Sequence, residues 1–116
     1  MSDSDTTISD LKGLIQRFVD EREWQPFHDP KNLSMSIAIE AADLMEHFQW
    51  LTNREAGDVR DSPDDMQQVR EELADVVAFV LSFANALDID ISNALRDKMV
   101  KNAEKYPAER FRGRFK

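Results

Sequence analysis

Apolar residues recur three and four positions apart along most of the chain, which is the period of an amphipathic helix. Prolines and short polar runs interrupt this period at three places and divide the chain into four segments. The pattern predicts an all-α protein whose helices lie at about 8–22, 33–51, 63–87 and 91–105. The length of 116 residues indicates a single domain, with a core at about 8–107 and a tail at 108–116.

A polar residue suited to a helix N-cap precedes each predicted helix, because its side chain can accept a hydrogen bond from the first turn. These residues are Thr7, Asn32, Ser62 and Asp90. Pro63 suits the first helical position, where no backbone N–H is needed. The polar residues 52–62 are predicted to form a loop, and the two prolines within 23–32 make that stretch a second connection.

The second half of the third predicted helix, Val76 to Ala84, is apolar on nearly all sides. A helix of this kind has to be covered all round, and a chain of this size has few helices to cover it. We therefore expect a second subunit to cover this segment.

The charge is distributed unevenly along the chain, whose net charge is −8. Residues 1–95 carry 7 Lys and Arg against 20 Asp and Glu, whereas residues 96–116 carry 8 against 3. An acidic protein is unsuited to a nucleic acid polymer as partner. An acidic body with a basic end suits a small phosphorylated ligand, and the alternative is a solvated acidic surface with a basic tail.

The chain contains no cysteine, which excludes disulfides and thiolate metal sites. It has no apolar run of the ~18 residues that a membrane span needs. The polar, acidic residues 1–7 are unlike a signal peptide. These features lead us to expect a cytoplasmic protein without a membrane partner.

Two pairs of acids, each three residues apart, stand inside apolar helical sequence. They are Glu40 with Asp43, and Glu72 with Asp75. Positions i and i+3 lie on one helix face, so each pair directs two carboxylates the same way. Four carboxylates suit a hard cation such as Mg²⁺, with Mn²⁺ as a possible substitute, whereas zinc prefers His or Cys and di-iron bundles use Glu-x-x-His. The alternative is that the acids are a solvated face.

Other polar residues are candidates for roles around this cation. Glu46 and Glu71, next to the acid pairs, are candidates for the general base, and His47 is interpreted as structural rather than as a ligand. Lys98, Asn102 and Lys105 share one face of the fourth helix and suit phosphate binding.

The aromatic residues are candidates for holding a base. Trp24, Phe27 and His28 crowd the proline-rich connection and either wall a pocket for a planar ring or cap the helical core. Trp50, after the second helix, is a further candidate.

Taken in order, these residues resemble the MazG-like nucleotide pyrophosphohydrolases of the all-α NTP pyrophosphatase superfamily, especially the small dCTP pyrophosphatase-like branch. The family pattern is Glu-x-x-Glu followed by Glu-x-x-Asp, and here Asp43 stands where the family usually has Glu. The matching strings are His28-Asp29-Pro30-Lys31-Asn32-Leu33, Phe48-Gln49-Trp50, Glu71-Glu72-Leu73-Ala74-Asp75-Val76, and Lys98 through Asn102 to Lys105-Tyr106-Pro107.

The resemblance implies a four-helix bundle, working as a homodimer or homotetramer, that cleaves a nucleoside triphosphate to the monophosphate and pyrophosphate. It makes Glu40, Asp43, Glu72 and Asp75 the magnesium ligands. The departure from the family at Asp43 shortens the side chain, which suits binding through a water. Asn102 and Lys105 match the phosphate-contacting segment, and Trp24, His28 and Trp50 match positions near the base. The expected substrates are pyrimidine or non-standard dNTPs such as dCTP analogues. Two alternatives are a phosphoribosyl-ATP pyrophosphohydrolase and a non-catalytic helical oligomerisation module.

Overall fold

The computed structural model describes all 116 residues and contains helices but no strands. The all-α fold is therefore confirmed, and the four long helices occur in the predicted order. The helices are α1 Ile8–Glu21, α2 Pro30–Phe48, α3 Asn53–Asp58, α4 Pro63–Ala86, α5 Ile91–Lys105 and α6 Ala108–Phe111. No helix is both long enough and apolar enough to cross a membrane.

Three of the four predicted N-caps are present. Thr7 forms a capping box with Asp10 at the start of α1, and Ser62 and Asp90 accept hydrogen bonds from the first turns of α4 and α5. These caps satisfy backbone N–H groups that have no partner within the helix.

The fourth predicted cap and the start of α2 at residue 33 are wrong. α2 begins at Pro30, and the Asp29 side chain caps it by accepting from the Asn32 N–H at 2.8 Å. Pro30 had been interpreted as a helix breaker, but in the first turn its missing N–H costs nothing. Asn32 instead lies within the first turn and donates its side-chain amide to the Phe27 carbonyl oxygen at 3.2 Å.

The predicted end of α2 at residue 51 and the loop at 52–62 are also wrong. α2 ends at Phe48. The next helix, α3, begins at Asn53, and a capping box between Thr52 and Glu55 caps its N-terminus. A single 3-10 turn follows, and within it Val59 is buried. The Thr-x-x-Glu signature of this capping box is visible in the sequence and would have identified α3.

The body of the protein is formed by α1, α2 and α4, with the most extensive contact between α2 and α4. Leu33 from α2, Val19 from α1, and Leu81 and Ala84 from α4 are its buried apolar side chains. The end of α4 is tied to α1 at Lys12 by two hydrogen bonds. The Asn85 side-chain amide donates to the Lys12 carbonyl oxygen at 3.1 Å, and Lys12 Nζ donates to the Ile89 carbonyl oxygen at 2.7 Å.

By contrast, α5 has no buried residue and extends away from this body. The radius of gyration is 17.3 Å, against about 13 Å for a compact domain of ~100 residues. The accessible surface is 9380 Å², against about 6,500 Å² expected for a folded monomer of this mass. The single chain thus leaves about 2,900 Å² more surface exposed than expected for a compact monomer of this mass.

The apolar half of α4 is only partly covered within the chain. Leu81 and Ala84 are buried, whereas Leu73 and Val77 remain exposed. These two line an apolar groove of about 530 Å³ between α1 and α4. Of the segment Val76 to Ala84, for which the sequence predicts a second subunit, Val77, Ala78 and Leu81 line this groove, and Leu73 lies just before that segment.

The most completely buried side chain is Leu33, at 1% exposure. We expect Leu33→Ala to lower the free energy of unfolding by about 2–5 kcal/mol, because it removes apolar contacts and leaves a cavity. Urea unfolding followed by circular dichroism checks this. Ser34→Ala removes an exposed hydroxyl that bonds only the Lys31 carbonyl oxygen and should change stability by less than about 0.5 kcal/mol.

Candidate active site

The packing of α2 against α4 brings the two acid pairs together. A cavity of about 310 Å³ between these helices is lined by six polar residues and no apolar ones. They are Glu40, Asp43, Glu46 and His47 from α2, and Glu72 and Asp75 from α4. The four carboxylates proposed from the sequence as cation ligands thus share one cavity.

The carboxylates in this acidic cavity influence one another. The pKa of Glu40 is raised above its ordinary value, first by partial desolvation and then by the negative charges of Asp75, Asp43 and Glu72. A hydrogen bond with the Asp43 side chain raises it further. In addition, Glu72 Oε2 is buried without a hydrogen-bond partner. An unpaired buried carboxylate oxygen is costly, so the cavity has the electrostatic character of a cation site.

The donor set fits a hard divalent cation, since it consists of carboxylate oxygens with no thiolate. No group of three or more His, Asp or Glu side chains is already arranged to hold a metal ion. Chelation by these residues therefore requires side-chain rotations that bring the carboxylates closer together. Mutual repulsion opposes this approach until a cation compensates the charge.

The raised pKa of Glu40 predicts a pH-dependent effect on the stability of metal-free protein. A folded-state pKa above the unfolded one means that the folded state binds more protons, so stability falls as pH rises through that range. Glu40→Gln removes the negative charge that is unfavourable in the folded state, so we expect this variant to have a higher Tm than the wild type in EDTA at pH 7. The difference should vanish below about pH 4, where Glu40 is protonated in both states. Glu104→Gln, at an exposed position of α5, is the control and should leave Tm unchanged at both pH values.

An aromatic pocket of about 280 Å³ adjoins the acidic cavity, and Asp75 lines both. His28 stacks between Trp24 and Phe79, with ring centroids 6.3 and 6.4 Å apart, and Phe18 meets Trp24 edge to face at 5.7 Å. Stacked rings in a largely apolar pocket suit a planar aromatic ligand. Trp24 and His28 therefore line a pocket, as one of the two interpretations has it, whereas Phe27 is exposed and lines neither cavity.

Three groups of candidate residues lie outside these cavities in the single chain. Glu71 is exposed and accepts a hydrogen bond from Gln67 at 2.9 Å. Trp50 is 86% exposed beyond the end of α2. The phosphate candidates on α5 line neither cavity, and two of them make local contacts only. The Asn102 amide lies 3.7 Å from Met99 Sδ, and Lys105 Nζ lies 5.3 Å from the Tyr106 ring centroid.

Some residues that line the aromatic pocket were missed in the sequence. Phe79 and Ser82 follow Asp75 by four and seven positions on α4, so they lie on the same helix face. That spacing could have identified both residues. Both lie in the segment Val76 to Ala84, however, which the sequence predicts to be covered by a second subunit. Phe18 lies on α1, and it becomes a pocket residue because the chain turns back after α1 at Trp24.

The helices and cavities define an all-α protein that places an acidic cavity beside an aromatic pocket. A profile of the MazG-like family matches residues 35–114, and the chain belongs to this family. This finding confirms the resemblance seen in the sequence. The crystal structure of a pyrophosphatase from Archaeoglobus fulgidus DSM 4304 is similar, with 35% identity and a TM-score of 0.81. The match covers 92% of this chain and 98% of that one.

Two mammalian relatives have the same name, dCTP pyrophosphatase 1. The protein from Homo sapiens is 36% identical over 102 residues, covering 88% of this chain, and the protein from Bos taurus is 34% identical over 110 residues, covering 95%. The matched regions are 60% and 65% of those proteins. The chain therefore spans less than two thirds of the length of these curated relatives.

Proposed function

We propose that the chain is a Mg²⁺-dependent nucleoside triphosphate pyrophosphohydrolase, with Mn²⁺ as a possible substitute. The reaction is the hydrolysis of a (d)NTP to (d)NMP and pyrophosphate, with pyrimidine or non-standard deoxynucleotides such as dCTP analogues as substrates. The observation that carries the proposal is the shared Asp75, which joins an acidic cavity to a pocket for a planar ring. A nucleoside triphosphate has the matching parts, a phosphate chain that binds cations and a flat base.

The names of the relatives support this reading, since both the archaeal structure and the mammalian proteins are called pyrophosphatases. The accessible surface of the single chain is larger than that of a compact monomer, and the apolar groove is exposed. Both observations support a homodimer or homotetramer as the working form.

Each carboxylate has a role that follows from its position. Glu40, Glu72 and Asp75 would hold the cation, and Asp43, with its shorter side chain, would bind it through a water. When bound, the cation would neutralise charge on the phosphate oxygens and lower the pKa of a bound water. Before it binds, the four acids repel any phosphate, so the protein binds nucleotide productively only together with metal.

The general base is assigned to Glu46, which lines the acidic cavity, rather than to Glu71, which does not. Water attacks the α-phosphorus, and Glu46 accepts its proton. A new P–O bond forms at the α-phosphorus while the bond to the α,β-bridging oxygen breaks and pyrophosphate leaves. Asp75 lies at the junction of the two cavities, so it would hold the cation close to a base bound by His28 and Trp24.

Phosphate binding is assigned to Lys98, Asn102 and Lys105 from α5 of a second copy of the chain. Within one chain no α5 residue lines the acidic cavity, and α5 has exposed apolar residues at Leu95, Met99 and Val100. An isolated helix with an apolar stripe gains most of its stability by packing against a neighbour. A second copy would supply that neighbour and bring cationic groups to the acidic cavity.

Product analysis with a panel of nucleoside triphosphates tests the proposal. In the presence of Mg²⁺, we expect pyrophosphate and the monophosphate from at least one pyrimidine dNTP, and none in EDTA. Release of inorganic phosphate and a diphosphate would contradict the bond assignment. Activity confined to phosphoribosyl-ATP would assign the chain to that alternative reaction instead.

A further inference from the structure

His47 differs in kind from the other residues that line the acidic cavity. The remaining five are the carboxylates Glu40, Asp43, Glu46, Glu72 and Asp75. An ionised carboxylate only accepts hydrogen bonds, whereas an imidazole carries an N–H both when it is neutral and when it is charged. When the carboxylates are ionised, His47 is therefore the one side chain of this cavity that can donate a hydrogen bond.

The imidazole N–H of His47 is not taken up by the neighbouring acids. The only ion pair of the chain joins Arg22 to Glu21, so neither nitrogen of His47 lies within 4.0 Å of a carboxylate oxygen. The ring packs edge to face on Phe48 instead, with ring centroids 5.1 Å apart and the planes at 72°. His47 is half-buried, so its ring is held by packing while its N–H remains available to a ligand in the cavity.

His47 lies at the end of the acidic cavity that is farthest from the aromatic pocket. The pocket residues Trp24 and His28 precede the first residue of α2, whereas His47 lies in its last turn. Glu40 and Asp43 stand between these two ends, and His47 follows Asp43 by four positions on the same face. At a rise of about 1.5 Å per residue, His47 is about 10 Å beyond Glu40 along the helix axis.

The order of residues on α4 agrees with this direction. Phe79, which lines the aromatic pocket, follows Asp75 in the chain, whereas Glu72 precedes it. Among the charges that raise the pKa of Glu40, that of Asp75 contributes most and that of Glu72 least, so Glu40 lies on the Asp75 side. The two helices thus run in opposite directions, and the cavity extends from Asp75, beside the aromatic pocket, to His47.

A nucleotide in the proposed orientation would have its outer phosphates at the His47 end of the cavity. With the base in the aromatic pocket, the α-phosphate comes first along the cavity, and the β- and γ-phosphates lie farther from Asp75. These two phosphates leave as pyrophosphate, which takes the electron pair of the broken bond between the α-phosphorus and the bridging oxygen. A hydrogen-bond donor directed at the leaving group stabilises this negative charge as it develops.

We propose that His47 is a catalytic residue whose imidazole N–H donates a hydrogen bond to the leaving pyrophosphate. This inference rests on the proposed function for the reaction and for the direction in which the nucleotide lies. The proton stays on the imidazole, so Glu46 remains the group that accepts the proton of the attacking water. A hard cation prefers oxygen ligands, so His47 contacts the phosphates rather than the cation.

Calorimetric titration with the two products of the reaction tests this contact. Inorganic pyrophosphate and dCMP are each titrated into the full chain at one fixed concentration of Mg²⁺. His47→Leu keeps a side chain of similar size but has no donor, so we expect it to bind pyrophosphate about 10-fold more weakly and dCMP as the wild type does. His47→Gln retains an N–H donor and should recover most of the affinity for pyrophosphate.

The matched control is Gln49→Leu, which removes a side-chain donor two positions further along the chain. Gln49 is exposed and does not line the acidic cavity, so this variant should bind both products like the wild type. Calorimetry reports the fraction of competent sites separately from the affinity, so partial unfolding of a variant does not imitate weaker binding. In hydrolysis of the best dNTP substrate, His47→Leu should lower kcat about 10-fold or more.

NMR of the imidazole nitrogens reports the contact without any substitution. The chain has only two histidines, His28 and His47, so the spectrum contains two rings, and the His47 variants assign them. Pyrophosphate added with Mg²⁺ should shift the His47 nitrogens, whereas dCMP added with Mg²⁺ should leave them in place. Unshifted His47 nitrogens in the presence of saturating pyrophosphate would contradict the contact.

Equal affinities of the wild type and His47→Leu for pyrophosphate would overturn the inference. An equal loss for pyrophosphate and dCMP would also overturn it, because His47 would then act through the cation or the fold. So would a His47→Gln variant that binds pyrophosphate as weakly as His47→Leu, since the N–H would then not be the group that matters.

The outcomes also separate this inference from the proposed function. Hydrolysis of dNTPs by a chain whose affinity for pyrophosphate does not depend on His47 would overturn the role of His47 and leave the pyrophosphohydrolase intact. Pyrophosphate binding that requires the His47 N–H, in a chain that hydrolyses no dNTP, would support the contact and reject the enzyme.

Discussion

Glu72→Gln is expected to lower pyrophosphate release in the presence of Mg²⁺ at least about 100-fold, the largest loss that the proposed site predicts. Glu72 lines the acidic cavity, and its Oε2 is buried without a hydrogen-bond partner. Glutamine keeps the size of the side chain but replaces one anionic oxygen by a neutral amide. A cation held by the remaining carboxylates would be weakly bound and poorly placed.

The matched comparison is Glu71→Gln, the same change of charge one residue earlier on α4. Glu71 is exposed and bonded to Gln67, so we expect this variant to keep near wild-type activity. A large loss in Glu71→Gln with little loss in Glu72→Gln would contradict the site and favour Glu71 as the general base. Thermal unfolding of both variants in EDTA shows whether either is merely unfolded.

Lys105→Met is expected to lower activity about 10-fold or more through weaker phosphate binding. Mixing this variant with Glu72→Gln, which is itself expected to be inactive, should restore part of the activity. When Lys105→Met and Glu72→Gln chains are unfolded together and refolded, mixed dimers form. If α5 acts on the partner's acidic cavity, each mixed dimer contains one site with both residues intact. A 1:1 mixture should then recover about a quarter of wild-type activity.

Failure to recover any activity in this mixture, with mixed dimers present by mass spectrometry, would mean that α5 acts within its own chain. Arg96→Met is the control for Lys105→Met, because Arg96 lies on the opposite face of α5 and carries the same charge. It should leave activity near the wild-type value. Light scattering that gives a 13.4 kDa monomer at micromolar concentration would contradict the subunit account altogether.

The parts of the fold that could be predicted are those determined by local sequence. Thr7, Ser62 and Asp90 cap helices because the chemistry of the first turn depends on a few adjacent residues. The i and i+3 spacing of the acids was enough to put Glu72 and Asp75 on one face. Their meeting with Glu40 and Asp43 needed only the common packing of two neighbouring long helices.

The parts that could not be predicted depend on contacts between distant residues or between chains. Ser82 looks like one polar residue in an apolar run, and only the turn that returns the chain to α4 at His28 makes it part of a pocket. Trp50 and Lys105 match the family by their positions in the sequence, yet neither lines the acidic cavity or the aromatic pocket. We propose that a subunit contact places them, and helix periodicity does not encode the geometry of such a contact.

The central claim is that one cation joins the carboxylates of α2 and α4 to the phosphates of a nucleotide. Thermal unfolding with Mg²⁺ alone, with a non-hydrolysable dCTP analogue alone, and with both together tests it most directly. We predict a joint stabilisation greater than the sum of the separate effects, about 2.7 kcal/mol when the ligand is at 100 times its Kd. It should be lost in Glu72→Gln. No change in Tm under any of the three conditions would contradict the account and favour the non-catalytic helical module.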